Sequence, residues 1–285
     1  MRSHTVCCRA TVKMKVQTAI SQKMRMLESD RLGSYIVNSK RDFVRNGILT
    51  LDDVDRCFDF AYGMTFGGRG AHRDHRSGGQ AHRHLGEIFI NTFQGKLAEF
   101  ALYNYIILVG EMSIDPPDTE MMELTRWDSF DMDIEGSIIN VKSTKRRGNL
   151  LLLETKDWDS EGRYIPNSES GCEEYDFFVL TRVDPDGERI MREHGFLYAD
   201  SADKEILRRI ILYERWRVNL AGYITGEELI DGVIRPGHIL TQNSTLNRYT
   251  RMDAENYYVQ AGDMHEIDGL LREIRDRRGD TERRY

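Results

Sequence analysis

The sequence predicts an α/β protein, and three features carry that prediction. Apolar residues recur at helical spacing over 91–109, 203–216 and 266–277. Residues 130–144 instead alternate polar and apolar, the period of two that marks a half-buried strand pair. The run 175–183, Tyr-Asp-Phe-Phe-Val-Leu-Thr-Arg-Val, is mostly apolar and rich in aromatic and β-branched residues, which suits a strand in the middle of a sheet.

Residues 1–62 read as a helical segment, with Asp52 and Asp53 placed to start a helix through Phe60. Over 63–86 the composition changes to Gly, Arg, His, Ser and Gln, which cannot build a core, so a long polar loop is expected. The helix at 91–109 precedes the Pro116-Pro117 break and an acidic connector to Trp127. The strand pair follows, residues 150–153 are expected to extend its sheet, and 157–171 form a second loop. After the buried strand, 241–285 reads as a C-terminal helical segment with a frayed, charged end. A chain of 285 residues, 40% hydrophobic and without internal repeats, suits one large domain.

No apolar run approaches the roughly 20 residues that span a bilayer. Arg9 and Lys13 interrupt the N-terminal apolar residues, unlike a signal-peptide core, so a cytoplasmic protein without a membrane partner is expected. Cys7, Cys8, Cys57 and Cys172 lack paired zinc-ligand spacing and the density of a disulfide scaffold, and they read as reduced structural thiols. The net charge of -7 argues at first against a polyanionic partner, but placement matters more than the sum. Arg69, Arg73, Arg76 and Arg83 crowd the polar loop, and Lys142, Lys145, Arg146 and Arg147 follow one strand.

In the strand pair, Asp131, Asp133 and Glu135 share one face, as do Asn140, Lys142 and Thr144. A two-residue turn at Gly136-Ser137 sets Asp133 opposite Asn140 and Asp131 opposite Lys142. A turn at Glu135-Gly136 pairs Asp131 with Asn140 instead, and the sequence leaves that choice open. Phosphodiester hydrolysis needs such a cluster, because a hard cation must neutralise phosphate oxygens and acidify a water. Asp133 is the expected principal ligand and Asn140 a carbonyl donor, while Lys142 orients water or stabilises phosphoryl charge. The plainer reading is a solvated hairpin face. On the helix at 91–109, Glu99 lies one turn after Gly95 between apolar stripes, where it reads either as a salt-bridge partner or as a further metal ligand.

Gln94-Gly-Lys-Leu-Ala-Glu99 on a helix, Asp131-Met-Asp-Ile-Glu135 and Ile139-Asn-Val-Lys-Ser-Thr144 together resemble the helix-Glu, strand-Asp and strand-x-Lys pattern of PD-(D/E)XK nucleases. Type II restriction endonucleases are the most similar subgroup. The resemblance covers roughly 87–240, continuing through the 175–183 strand, Ala221-Gly-Tyr-Ile-Thr-Gly-Glu-Glu-Leu229 and Arg235-Pro-Gly-His238. It implies a mixed central sheet flanked by helices, Mg²⁺ dependence, cleavage of double-stranded DNA and commonly a homodimer on a palindromic site. Asp133 takes the place of the family's aspartate, Lys142 of its lysine and Glu99 of its helix glutamate. Asn140 departs from the family's Asp or Glu. It reads as a variant offset by Glu99 or Glu135, as the mark of an inactive DNA-binding protein, or as an engineered change; a repair or transposition nuclease is a further alternative.

Within this resemblance Arg69, Arg73, Arg76, Arg83, Lys145, Arg146 and Arg147 are the expected DNA contacts, since arginine forks match phosphates and the guanine edge. The loop at 63–86 also reads as an ordinary polar loop, or as a zinc site through His72, His75, His82 and His84. It lacks the interleaved aromatics of single-strand platforms, which favours duplex DNA.

Overall fold

The structure is a computed structural model that describes residues 24–68, 83–119, 131–167 and 174–282. The described chain opens with a short hairpin, β1 (Glu28–Ser29) against β2 (Tyr35–Ile36). It then runs without regular structure to Thr50, so the helical reading of 1–62 holds only from α1 (Leu51–Met64) onward, residues 1–23 lying outside the described chain. The reason is long-range hydrogen bonding. The Asn38 and Ser39 amides both donate to Gln260 Oε1, and the Ser39 hydroxyl donates to Asp263 at 2.6 Å. Partners far along the chain thus compete successfully with local helical bonds.

Thr50 caps α1 reciprocally with Asp53, satisfying two N-terminal donors. The next helix, α2 (Leu85–Leu108), starts six residues before the expected 91, where the Glu87 carboxylate accepts from the His84 amide at 3.0 Å. It is followed by β3 (Met132–Ile134), β4 (Ser137–Lys145), β5 (Leu150–Glu154) and β6 (Phe177–Asp184). Then come α3 (Gly187–Glu193), α4 (Lys204–Tyr213), β7 (Arg217–Thr225) and the one-turn α5 (Gly226–Leu229). The chain ends through β8 (Ile239–Leu240), β9 (Thr245–Leu246), β10 (Thr250–Arg251), β11 (Asn256–Gln260) and α6 (Asp268–Glu282). Residues 241–260, expected to be helical, are thus short strands joined by turns, and only α6 matches that reading.

The class is mixed α/β. The central sheet has the order β3-β4-β6-β7, with β4 and β6 parallel and the other neighbours antiparallel. One face, bearing Ile139, Phe177, Val179 and Val183, packs on α1, α2 and α6 through Phe58, Phe93, Leu97 and Leu270. The other, bearing Phe178, Leu180 and Ile224, packs on Leu151, Leu153 and Val259 of the second sheet, β5-β11-β8. β6 is covered on both faces, as its apolar run implies. β5 does not extend the central sheet as expected: it pairs with β11, while β4 pairs with β6 over Ile139–Lys145 and with β3 over Ser137–Ile139. Among the described residues no helix is long and apolar enough to cross a membrane.

Arg182 of β6 is only 1% exposed. Its guanidinium donates to Asn219 Oδ1 of β7 and to the Arg41 carbonyl, both at 2.7 Å, and to the Asp42 carbonyl. Burial, reinforced by the Arg41 charge, pulls its pKa down to about 10. Arg182→Ala strands these oxygens in the interior, so a loss of about 3 kcal/mol or more is expected in urea unfolding. A loss under about 1 kcal/mol would mean that the clamp contributes little.

At the end of β7, Glu228 Oε1 lies 2.7 Å from His265 Nε2. The Glu228 hydrogen bond raises the His265 pKa above its ordinary 6.5 despite burial. Burial pushes Glu228 upward, but the His265 and Thr225 hydrogen bonds outweigh it and hold the carboxyl below its ordinary 4.5. The histidine's contribution is complete below 6.5 and fades as pH rises through its raised value, while the glutamate's is complete above 4.5 and fades as pH falls through its lowered value. The stability gap between the parent chain and His265→Gln is therefore expected to be widest between pH 4.5 and 6.5. Unfolding midpoints across pH measure it, and a flat gap would rule the pair out.

Candidate active-site cleft

The β3–β4 turn decides which aspartate faces which partner. Ile134 pairs with Ser137 and Met132 with Ile139, so the turn residues are Glu135 and Gly136, with φ of 52° and 84°. Two positive φ angles in succession make the turn whose twist matches the flanking strands. This is the second of the two registers open from sequence, and it corrects the first. Asp133 pairs with Ile138, is exposed, and accepts from the Gly136 amide at 2.8 Å. It caps its own turn rather than facing Asn140. Continuing the register by one residue places Asp131 beside Asn140, and Asp131 Oδ2 accepts from the Val141 amide at 2.7 Å.

Asn140 is 3% exposed, and among the described residues its carbonyl oxygen Oδ1 has no hydrogen-bond partner. Such orphaned acceptors are uncommon in folded proteins and call for a reason. On the same face of β4, two residues further along, Lys142 enters a cleft of about 610 Å³. The cleft lies where β4 and β5 diverge. Asn91 and Gln94 of α2 form one side, and Glu154 of β5 with Asp157 and Asn256 form another. Gln94 is 7% exposed and packs against Gly187, where an added Cβ would come within 2.9 Å of its Oε1. Three basic side chains (Lys142, Lys145 and Arg83), three neutral amides and four carboxylates (Glu154, Asp157, Glu188 and Asp253) therefore share one pocket, with Asn140 beside it in the same strand. Among the described residues, no three His, Cys, Asp or Glu side chains group to hold a metal ion.

Glu99 is not brought to this cleft. It pairs with Lys96 at 2.6 Å and lies close enough to Cys57 of α1 that, second to burial, it helps raise that thiol well above its ordinary value. Gln94 is five residues earlier, about 140° round the helix, which accounts for their different surroundings. The salt-bridge reading of Glu99 thus describes its place. Gln94, Asn91 and Glu154 were missed from sequence, although a glutamine inside a helix apolar on both sides is a usable signal.

The expected DNA contacts divide. Arg83 lines the cleft, while Arg69, Arg73 and Arg76, with His72, His75 and His82, lie outside the described residues. His84 sits 3.2 Å from Asp200. Lys145 bonds Glu188 at 2.8 Å and Asp186 at 3.3 Å, and Arg146 bonds Asp184 at 3.0 Å. Burial lowers the Lys145 pKa, but Glu188 and Asp186 together raise it further. Arg147 is exposed.

Comparisons with family models, curated proteins and solved structures find no match to this chain. If the Asn140 oxygen is unmet, Asn140→Leu removes a penalty of about 1 to 3 kcal/mol, and the urea midpoint is expected to stay level or rise. A fall equivalent to about 1 kcal/mol would show that the amide is satisfied in solution.

Proposed function

We propose that the chain is a Mg²⁺-dependent endonuclease of double-stranded DNA, a PD-(D/E)XK enzyme acting at specific sites as a cytoplasmic homodimer. The observation that carries this reading is the orphaned Asn140 oxygen on the strand that delivers Lys142 to the cleft, with Asp131 beside it. A carboxylate and an amide carbonyl are hard oxygen donors of the kind Mg²⁺ takes, so Asp131 and Asn140 fit as its protein ligands in place of the expected Asp133, Asn140 and Glu99. When bound, the ion supplies positive charge against the phosphate oxygens and acidity for the attacking water.

The chain's own residues do the rest. Lys142 presents a compact cation to the phosphoryl group, where its donors hold a developing negative oxygen. Gln94 and Asn91 offer neutral donors and acceptors that orient water without adding charge. Arg83 at the cleft wall pairs with a phosphate of the bound strand. A second reading, binding without cleavage, is favoured by Asn140 itself, because an amide brings no negative charge to the ion. A repair or transposition nuclease would use the same site on differently chosen DNA.

Incubation of the parent chain and of Asn140→Asp with phage DNA and Mg²⁺, resolved on a gel, tests these readings. Discrete fragments are expected from one or both, lost with EDTA and reduced about a hundredfold or more by Lys142→Ala. DNA that is shifted but never cut would leave the binding-only protein. DNA neither cut nor retained would end the nuclease reading.

A further inference from the structure

The chain that lines the cleft through Met252 and Asp253 comes directly out of the β9–β10 hairpin. Asn247 and Arg248 at its turn have φ of 50° and 69°, a left-handed pair without glycine. The β1–β2 hairpin holds them there. The Asn247 amide donates to the Tyr35 carbonyl at 2.7 Å, the Arg248 amide to Ser34 Oγ at 2.9 Å, and Arg248 Nε to Asp30 Oδ2 at 2.9 Å. Asp30 spends its other oxygen on the Leu32 and Ser34 amides. The two tips are therefore one rigid piece.

That piece presents side chains that the fold does not use. Tyr249 is 92% exposed and Leu32 86%. Arg31 and Arg251 are exposed, and among the described residues neither side chain has a hydrogen bond or ion pair. Three arginines face one aspartate, which Arg248 already engages, so the tips carry local positive charge in a chain whose net charge is -7.

We propose that the β9–β10 turn, residues 247–251, enters a groove of duplex DNA, with residues 30–33 at the groove's rim, while the cleft holds the DNA backbone. The two hairpins form one four-stranded sheet, β1-β2-β9-β10, and its β9–β10 ribbon by itself fits the major groove, which is about 12 Å wide. The three residues from Tyr249 to Met252 span about 10 Å, so base edges of the DNA lying over Lys142 come within reach of the tips. Arg31 and Arg251 have forks free for guanine or phosphate, and the Tyr249 ring offers apolar contact to a thymine methyl. A turn held in a costly conformation by its neighbour loses little further freedom on binding.

This inference rests on the endonuclease reading, and its test separates the two. A photo-crosslinking p-benzoylphenylalanine is placed at Tyr249 in the full chain and, as control, at Tyr213 of α4, which is 88% exposed. Each protein is irradiated with phage DNA fragments, and Arg31→Ala/Arg251→Ala is assayed by gel shift. The expected result is DNA crosslinked at 249 and not at 213, with about tenfold weaker binding by the double variant at an unchanged melting temperature. DNA bound or cut as before, but with equal crosslinking at both positions and affinity within about threefold, overturns the groove contact and leaves the nuclease standing. Crosslinking at 249 to a second copy of the chain overturns it in favour of a dimer contact. No DNA binding by any variant removes both.

Discussion

The arrangement depends on one buried cation. Arg182 projects from the middle of the central sheet, where among the described residues no carboxylate hydrogen-bonds it and neutral oxygens hold it: two carbonyls of the strap at Arg41 and Asp42, and the Asn219 amide of β7. A desolvated charge tolerates few alternative geometries, because each lost donor contact leaves part of it uncompensated. Arg182 therefore specifies where the irregular segment before α1 must lie. Arg41 extends the clamp, donating to the Ala221 and Met264 carbonyls and so tying the strap to β7 and to the chain before α6. Close to this junction, a Cβ on Gly222 would come within 2.6 Å of the Arg41 guanidinium, leaving room only for glycine.

The cleft follows from sheet pairing. β4 pairs with β6 along most of its length and with β3 only over Ser137–Ile139, while β5 joins β11 instead, and the space between β4 and β5 is walled on its remaining side by α2. Lys142 lies on the β4 face that turns into this space, beyond the apolar packing that covers Phe178 and Leu180. The same divergence brings Glu154 from β5 and Asn256 from β11 opposite it, residues more than ten positions from Lys142 in the chain.

Charge is distributed to match. Lys145 and Arg146, basic in the sequence, are largely spent on Glu188, Asp186 and Asp184, and exposed pairs of this kind contribute little to stability while muting local charge. Among the described residues, the basic side chains left to meet a polyanion include Lys142 in the cleft and Arg31 and Arg251 at the hairpin tips. Asn140 stands apart from both groups, since its buried oxygen lowers stability unless something positive occupies the space before it.

From the sequence alone came the α/β class, the buried β6 strand, the helices at α1, α2, α4 and α6, and the strand pair carrying Asn140 and Lys142 on one face. These are local matters, written in residue periodicity and turn chemistry. The sequence left the register open because Gly136 suits either turn, and side-chain alternation allows both Asp131 and Asp133 to face Asn140; backbone pairing chose Asp131. Helical spacing likewise showed that Glu99 lay between apolar faces but not which neighbour covered each, and α1 claimed that side of the helix while Gln94 turned to the cleft. The strap before α1 was misread as helix because Gln260, Asp263 and Arg182 hold it from far along the chain, and the strands after residue 240 because β11 pairs with β5 and β9 with β2. Periodicity reports which faces are apolar, whereas contacts between distant segments decide what those faces meet.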